Sequence, residues 1–198
     1  MIDAVVDLSH HNIITSFNDA ASSGIIGVIH KATEGTSFVD PKYKARRALA
    51  TTAGLLFGAY HFGVKGSPRD QADHFLATAE SADLMVLDFE PSPHRGTMSV
   101  KEAEEFMARV VDRTGRRPWL YSGQSFLTDQ LRKRPLSNLF LSPLWIARYS
   151  RKLPVVPPGF QDFALWQYTD VGQVPGIGKC DRNKFRGTEA ELRALWAK

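Results

Sequence analysis

The chain has 198 residues, which is the size of one ordinary domain. Hydrophobic residues make up 43% of it and charged residues 23%, which excludes intrinsic disorder, collagen-like repeats and a coiled coil for the chain as a whole. No apolar stretch is long enough to span a membrane, so we expect no stable membrane insertion. The net charge is only +4 and the basic residues are scattered, which argues against a nucleic-acid-binding protein.

The cysteine content and the N-terminus bear on where the protein is made. Cys180 is the single cysteine, which excludes an intramolecular disulfide and suits folding in a reducing cytoplasm. The first residues lack the basic segment and following apolar segment of a secretory signal. We therefore expect synthesis in the cytoplasm without a signal peptide.

Strand and helix signals alternate along the first two-thirds of the chain. Short apolar runs rich in β-branched residues predict strands at 4–8, 27–32, 56–62, 84–89 and 119–121. Helix starts are predicted at Asp40-Pro41, at Ser67-Pro68, at the capping box from Ser99 to Glu102, and at Thr188. Strands that alternate with helices of this length indicate βαβ units and a parallel sheet.

The pattern changes after residue 134. Runs at 144–147 and 163–168 are strand-like, and they are joined by a proline-rich stretch instead of a long helix. Residues 172–178 are predicted to form a turn-rich loop. A full (β/α)₈ barrel takes about 250 residues. The sequence therefore predicts a single α/β domain in which a closed barrel would have to lose helices near its end.

Two carboxylates at the end of one strand are the sharpest chemical signal. Asp88 and Glu90 are two residues apart, so they project to the same side of the strand, roughly 6–7 Å apart along the backbone. Close carboxylates in a partly dry site raise the pKa of one of them, as glycosidic cleavage requires. The alternative is a helix-capping Asp beside a solvent-facing Glu. Further carboxylates at other predicted strand ends (Asp7, Glu34 and Asp181) favour the chemical interpretation.

Aromatic and histidine side chains leave two interpretations open. The aromatic residues near strand ends could stack on sugar faces or fill the core; they are Tyr60, Tyr121, Trp145, Trp166 and Tyr168. His10, His11 and His61 form no recognisable metal-binding motif. They are interpreted as groove or core residues, and no metal is predicted. Nucleotide-binding glycine loops are also missing, and no cofactor is predicted.

Taken in order, the strand-end motifs resemble glycoside hydrolase family 25, the Chalaropsis-type lysozymes or N-acetylmuramidases. The motifs are Asp7-Leu8-Ser9-His10, Lys31-Ala32-Thr33-Glu34-Gly35-Thr36, Gly58-Ala59-Tyr60-His61-Phe62, Leu87-Asp88-Phe89-Glu90, Leu144-Trp145-Ile146-Ala147, Trp166-Gln167-Tyr168 and Asp181-Arg182-Asn183-Lys184-Phe185. Each motif is weak alone, but the ordered set is specific and covers nearly the whole chain.

The resemblance implies a modified TIM-like (β/α)₅β₃ barrel that hydrolyses the β-1,4 bond between N-acetylmuramic acid and N-acetylglucosamine in peptidoglycan. It implies that Glu90 is the general acid, that Asp88 assists at the 2-acetamido group, and that Asp7 and Asp181 are further groove carboxylates. The residues expected to bind substrate are Glu34, Tyr60, His61, Tyr121, Trp145, Trp166 and Gln167.

The resemblance also sets expectations about context. Residues 1–198 are expected to be one catalytic domain without a separate wall-binding domain, acting as a monomer on peptidoglycan glycan strands. Release by holin-type lysis, as for a phage endolysin, or by specialised secretion is expected. His11 and Asn12 stand where the family usually has Trp-Gln, and Cys180 stands where it commonly has Val, which could alter one side of the groove. The alternatives are a catalytically weak peptidoglycan-binding module and a chitinase-like N-acetylglucosaminidase.

Overall fold

The computed structural model describes residues 1–79, 82–132, 134 and 136–196. The strands within this part of the chain are β1 (Ile2–Leu8), β2 (Gly27–Glu34), β3 (Phe38–Val39), β4 (Leu56–Phe62), β5 (Leu84–Asp88), β6 (Trp119–Gly123), β7 (Leu144–Ala147), β8 (Leu165–Val174) and β9 (Gly178–Phe185). The helices are α1 (Phe17–Ser22), α2 (Tyr43–Thr52), α3 (Pro68–Ala79), α4 (Val100–Thr114), α5 (Gln124–Leu131) and α6 (Glu189–Trp196), with a 3-10 turn at Asn138–Leu141.

Eight of these strands close into a barrel. The order is β1-β9-β8-β7-β6-β5-β4-β2, and the pairing of β1 with β2 completes the ring, while β3 adds an antiparallel edge to β2. Neighbouring strands are parallel except at β9, which runs antiparallel to both β8 and β1. Five strand–helix units are followed by three strands in succession, so the predicted (β/α)₅β₃ barrel is confirmed.

Side chains alternate between the inside of the barrel and the layer beneath the helices, as the period of a strand requires. One buried cluster fills the lower barrel and includes Ile29, Val86 and Phe185. Helix α6 closes this end, because Leu192 and Trp196 belong to the same cluster. Gly27 makes room for the indole: a Cβ at this position would lie 2.8 Å from Trp196. The end of the barrel covered by α6 is therefore filled with side chains, and open space is left at the opposite end.

The helix signals in the sequence act largely as expected. The side chain of Ser99 accepts from the backbone of Glu102, the Glu102 side chain accepts in return, and Gly115 ends α4 in the left-handed conformation. Helix α2 begins at Tyr43 and not at the predicted Asp40, whose carboxylate instead accepts hydrogen bonds from the backbone N–H groups of His10 and Lys42. This buried carboxylate ties the loop after β1 to the start of α2.

The segment 172–178 differs from its prediction as a loop. Residues 172–174 continue β8 and Gly178 begins β9, so only the residues between them turn the chain. The resulting hairpin extends beyond the barrel on the side where β1 ends. Among the described residues, no helix combines the length and apolar character needed to cross a membrane.

Candidate active site

A pocket of about 180 Å³ opens at the end of the barrel where the parallel strands finish. Its lining residues are Asp7, Tyr60, Asp88, Glu90, Tyr121, Trp145, Tyr149, Gln167 and Asp181. Because β9 is antiparallel, Asp181 near its start lies directly opposite Asp7 near the end of β1. The structure thus brings together all four carboxylates that the sequence predicted as catalytic.

Asp88 and Asp7 are the two buried carboxylates of the four. Asp88 follows Val86 on the inner side of β5, whereas Phe89 between Asp88 and Glu90 packs outward in the core. The Asp88 side chain is buried, and its Oδ1 has no hydrogen-bond partner among the described residues. Burial raises the pKa of Asp88 well above the ordinary value, and the charge of Glu90 raises it further. A substrate N–H group would satisfy this oxygen.

Glu90 lies nearer the opening than Asp88. Burial raises the pKa of Glu90, the charge of Lys31 opposes that rise, and the charge of Asp181 adds to it. Two neighbouring carboxyls with raised pKa values retain a proton at a pH where an ordinary carboxyl has lost it. The site therefore favours a protonated carboxyl more than an isolated carboxyl on the surface would, and Glu90 places it where a ligand can reach it.

Asp7 and Asp181 form a second carboxyl pair across from the first. The two side chains share a hydrogen bond, and burial together with the charge of Asp181 raises the pKa of Asp7 well above its ordinary value. The amide of Gln167 donates to both Asp7 oxygens at 3.1 and 3.0 Å, and Asn183 Nδ2 donates to Asp7 Oδ2 at 2.8 Å. These amide hydrogen bonds hold the Asp7 carboxyl in place beside Asp181.

Aromatic side chains hold these two amides in turn. The hydroxyls of Tyr121 and Tyr149 both donate to Gln167 Oε1, at 2.9 and 3.0 Å. The indole of Trp145 donates to Asn183 Oδ1 at 2.7 Å. Each amide oxygen is thus occupied, which turns the amide N–H groups toward Asp7. The rings that line the pocket also orient its acid groups.

Two residues predicted to bind substrate do not line the pocket. His61 is 0% exposed; its ring bonds Thr33 and Gln71 and stacks on Phe106 beneath the helices. Trp166 also faces outward and donates to the backbone carbonyl of Arg148 at 2.8 Å. Neither residue faces the pocket, and the reason is the same for both: each is adjacent on its strand to an inward-facing residue, and adjacent strand residues face opposite sides.

Glu34 lies beside the pocket rather than in its lining. It accepts from Lys31 Nζ at 2.6 Å and lies 3.6 Å from the guanidinium of Arg95. Lys31 in turn lies on the inner face of β2, where its ammonium sits 5.0 Å from the centre of the Phe62 ring. Glu34 therefore influences the acid groups by holding the Lys31 ammonium near them.

Sequence reasoning missed three residues of this site, Lys31, Tyr149 and Asn183. The strand period could have found two of them, because Lys31 follows the inward-facing Ile29 by two positions and Asn183 follows Asp181 by two. Tyr149 lies beyond the end of β7 at Ala147, where the strand period gives no signal. As for a metal, no group of three or more His, Cys, Asp or Glu side chains in the described part of the chain is arranged to hold one.

Comparisons with known proteins agree with this geometry. The sequence pattern of the glycosyl hydrolases family 25 matches residues 6–177. The chain is 32% identical to Lysozyme M1 of Streptomyces globisporus, over 96% of this chain and 70% of that protein. It is also 32% identical to the N,O-diacetylmuramidase of Chalaropsis sp, over 96% of both. The crystal structure of a bacterial lysozyme from Streptomyces coelicolor superposes with a TM-score of 0.87 at 31% identity, covering 100% of this chain and 99% of that one.

Proposed function

The chain belongs to the glycosyl hydrolases family 25, and from this premise we propose how its acidic pocket cleaves peptidoglycan. The protein is a muramidase that acts on the cell wall and hydrolyses the β-1,4 bond between N-acetylmuramic acid and N-acetylglucosamine. The observation that carries the proposal is the pairing of Asp88 and Glu90 in one partly dry pocket, with the pKa of each raised. Glycosidic cleavage needs a protonated carboxyl beside an ionised one.

We assign the general acid to Glu90. Of the two neighbouring carboxyls it lies nearer the opening, so its proton can reach the glycosidic oxygen of a strand bound across the pocket. Protonation of that oxygen lets the bond to the muramic acid anomeric carbon break and releases the N-acetylglucosamine end as an alcohol. A water molecule then forms the new bond to the anomeric carbon, and the proton that it loses returns to Glu90.

Asp88 has a supporting role at greater depth. Its unpartnered Oδ1 is placed to accept a hydrogen bond from the N–H of the 2-acetamido group. Across the pocket, the Asp7–Asp181 pair places carboxyl oxygens near the sugar ring, where positive charge develops as the bond breaks. We propose that the protein acts on glycan strands as a monomer.

The test is hydrolysis of purified peptidoglycan by the wild-type protein and by Glu90→Gln. We expect the substitution to lower turnover by at least about 100-fold, because the proton donor is lost, while the thermal unfolding temperature is kept. The matched control is Glu105→Gln on α4, which removes an exposed carboxylate far from the pocket and should leave turnover unchanged. Near wild-type turnover in Glu90→Gln would overturn the assignment.

Product analysis identifies the bond that is cut. Reduction of the new chain ends followed by mass spectrometry should give reduced muramic acid. Reduced glucosamine would instead indicate an N-acetylglucosaminidase, and binding to the wall without new reducing ends would indicate a binding module.

A further inference from the structure

A second cavity, of about 680 Å³, adjoins the acidic pocket, and Asp181 lines both. One side of this cavity is the loop after β1, and the other is the β8–β9 hairpin. We propose that this cavity binds the short peptide carried by the muramic acid residue next to the cleaved bond. The inference rests on the proposed function, since it names a further part of the same substrate.

The two sides of the cavity are fastened together. The backbone N–H groups of Thr15 and Ser16 both donate to the carbonyl of Gly176, at 2.8 and 3.0 Å, and Asn12 Nδ2 donates to the carbonyl of Lys179 at 3.2 Å. Gly176 has a φ of 75°, and a Cβ at this position would collide with the carbonyl of Ser16. The loop and the hairpin therefore form a preorganised cleft, which lowers the entropy cost of binding a flexible peptide.

The base of the loop is fixed as well. Arg46 extends from α2 and donates to the carbonyls of Ser9 and Asn12, at 2.6 Å each. A guanidinium that satisfies two loop carbonyls holds the backbone in one conformation. The cleft thus does not depend on a ligand for its shape.

The lining of the cavity suits small apolar groups rather than sugar rings. Val174 and Ile177 are buried at its floor, and Ile13 stands at its rim with 79% of its surface exposed. No Trp, Tyr or Phe is among its described lining residues, whereas the acidic pocket has four such rings. Pyranose faces pack on aromatic rings, while the alanine methyl groups of a wall peptide match aliphatic side chains.

Two side chains of opposite charge in the cavity also suit a peptide ligand. Lys179 and Asp170 both line the cavity, and neither forms an ion pair with another described residue. Both act on Asp181, since Lys179 lowers and Asp170 raises its pKa, so they flank the junction with the acidic pocket. The wall peptide carries free carboxylates and, where it is not cross-linked, a free amine. The ammonium of Lys179 fits the former and the carboxylate of Asp170 the latter.

The experiment compares two substrates that share one glycan. One is uncross-linked peptidoglycan with its peptides, and the other is the same material after an amidase has removed them. The measured quantity is the ratio of kcat/KM on the peptide-bearing glycan to kcat/KM on the bare glycan. We expect this ratio to exceed one for the wild-type protein.

The variants are Lys179→Gln and Ile13→Asn, each of which should lower the ratio about threefold to fivefold. The ratio cancels any effect that loss of the Lys179 charge has on Asp181, because that effect is common to both substrates. The matched controls are Lys101→Gln and Leu141→Asn, exposed positions outside both cavities, which should leave the ratio unchanged.

Each result decides between the two proposals. A wild-type ratio near one would overturn the peptide site and leave the muramidase assignment in place. Variants that slow cleavage of both substrates equally would do the same, and would show that the cavity binds glycan. Failure of the wild-type protein to cleave either substrate would overturn the proposed function and this inference with it.

Discussion

Lys31 sets the charge balance of the acid pair from the inner face of β2. Its positive charge lowers the pKa of both Asp88 and Glu90, against the effect of burial. Its own position is fixed by Glu34 Oε2 at 2.6 Å and by the Phe38 and Phe62 rings, whose centres lie 5.3 and 5.0 Å away. A charge held this firmly tunes the pH range over which the general acid keeps its proton.

We predict that Lys31→Met moves the alkaline limb of the kcat/KM–pH profile to higher pH. Loss of the ammonium raises the pKa of Glu90, so Glu90 stays protonated further up the pH scale. Lys31→Arg keeps the charge and should keep the limb near its wild-type position. An alkaline limb that stays in place or moves downward in Lys31→Met would contradict the prediction.

The strand period explains which site residues the sequence could predict. Applied to Asp88 and Glu90, it placed both carboxylates in one pocket. Applied in the same way to Tyr60 and Gln167, it would have predicted that their neighbours His61 and Trp166, which the family resemblance assigned to the groove, face away from the pocket. Hydrogen bonds such as that from Asn183 to Asp7 join positions 176 residues apart. They depend on the β1–β9 register, which no local pattern encodes.

Helix α6 closes one end of the barrel, and its packing there depends on Gly27 in β2. A Cβ at Gly27 would lie 2.8 Å from the Trp196 ring, closer than van der Waals contact allows. We predict that Gly27→Ala lowers the free energy of unfolding by about 1–3 kcal/mol, because either the ring or β2 must shift. Urea unfolding measures this difference.

The control for this clash is a double-mutant cycle with Trp196→Phe. The smaller ring lacks the atoms that the new methyl group would meet, so Gly27→Ala should cost less in this background than in the wild-type protein. Purely additive costs would show that the methyl group destabilises β2 for another reason.

How clearly the sequence predicts a strand depends on which faces of that strand are buried. The parallel strands are buried on both faces and appear as apolar runs, so most were predicted close to their observed bounds. Strand β9 is different. Asp181 and Asn183 face the site, while Lys184 faces away and covers the rings of Trp166 and Tyr168 at 5.6 and 4.4 Å. A strand with polar residues on both faces gives no periodic apolar signal.

Two histidines inside the molecule are held neutral by burial, and their hydrogen bonds fix which ring nitrogen carries the proton. His30 Nδ1 donates to the carbonyl of Lys31 at 2.7 Å, while its Nε2 accepts from Arg46 at 3.1 Å. His61 donates from Nε2 to Gln71 and accepts at Nδ1 from Thr33. Burial lowers the pKa of His30 to about 4 and that of His61 to about 3. Their contribution to stability is present above pH 6.5 and is lost as the pH falls toward these values.

The acid carboxyls have the opposite effect on the stability of the whole molecule. Because the pKa of Asp7 and of Asp88 is raised on folding, their contribution is complete below the ordinary carboxyl pKa and is lost as the pH rises through the folded values. In the wild-type protein the two effects oppose each other between neutral and acid pH, which should flatten the dependence of stability on pH.

We predict that the double variant Asp7→Asn, Asp88→Asn separates the two effects. Each Asn imitates a protonated carboxyl, so the variant should be more stable than the wild-type protein near pH 8. With the opposing carboxyls gone, its free energy of unfolding should fall steeply below pH 6.5, approaching about 1.4 kcal/mol per pH unit for each histidine. Urea unfolding of both proteins at pH 8, 7, 6 and 5 measures the two slopes. A level profile between pH 6.5 and 5 in the double variant would mean that the histidines protonate without loss of the fold. In that case the buried network of His30 with Arg46 and of His61 with Gln71 could not be the limit on acid stability.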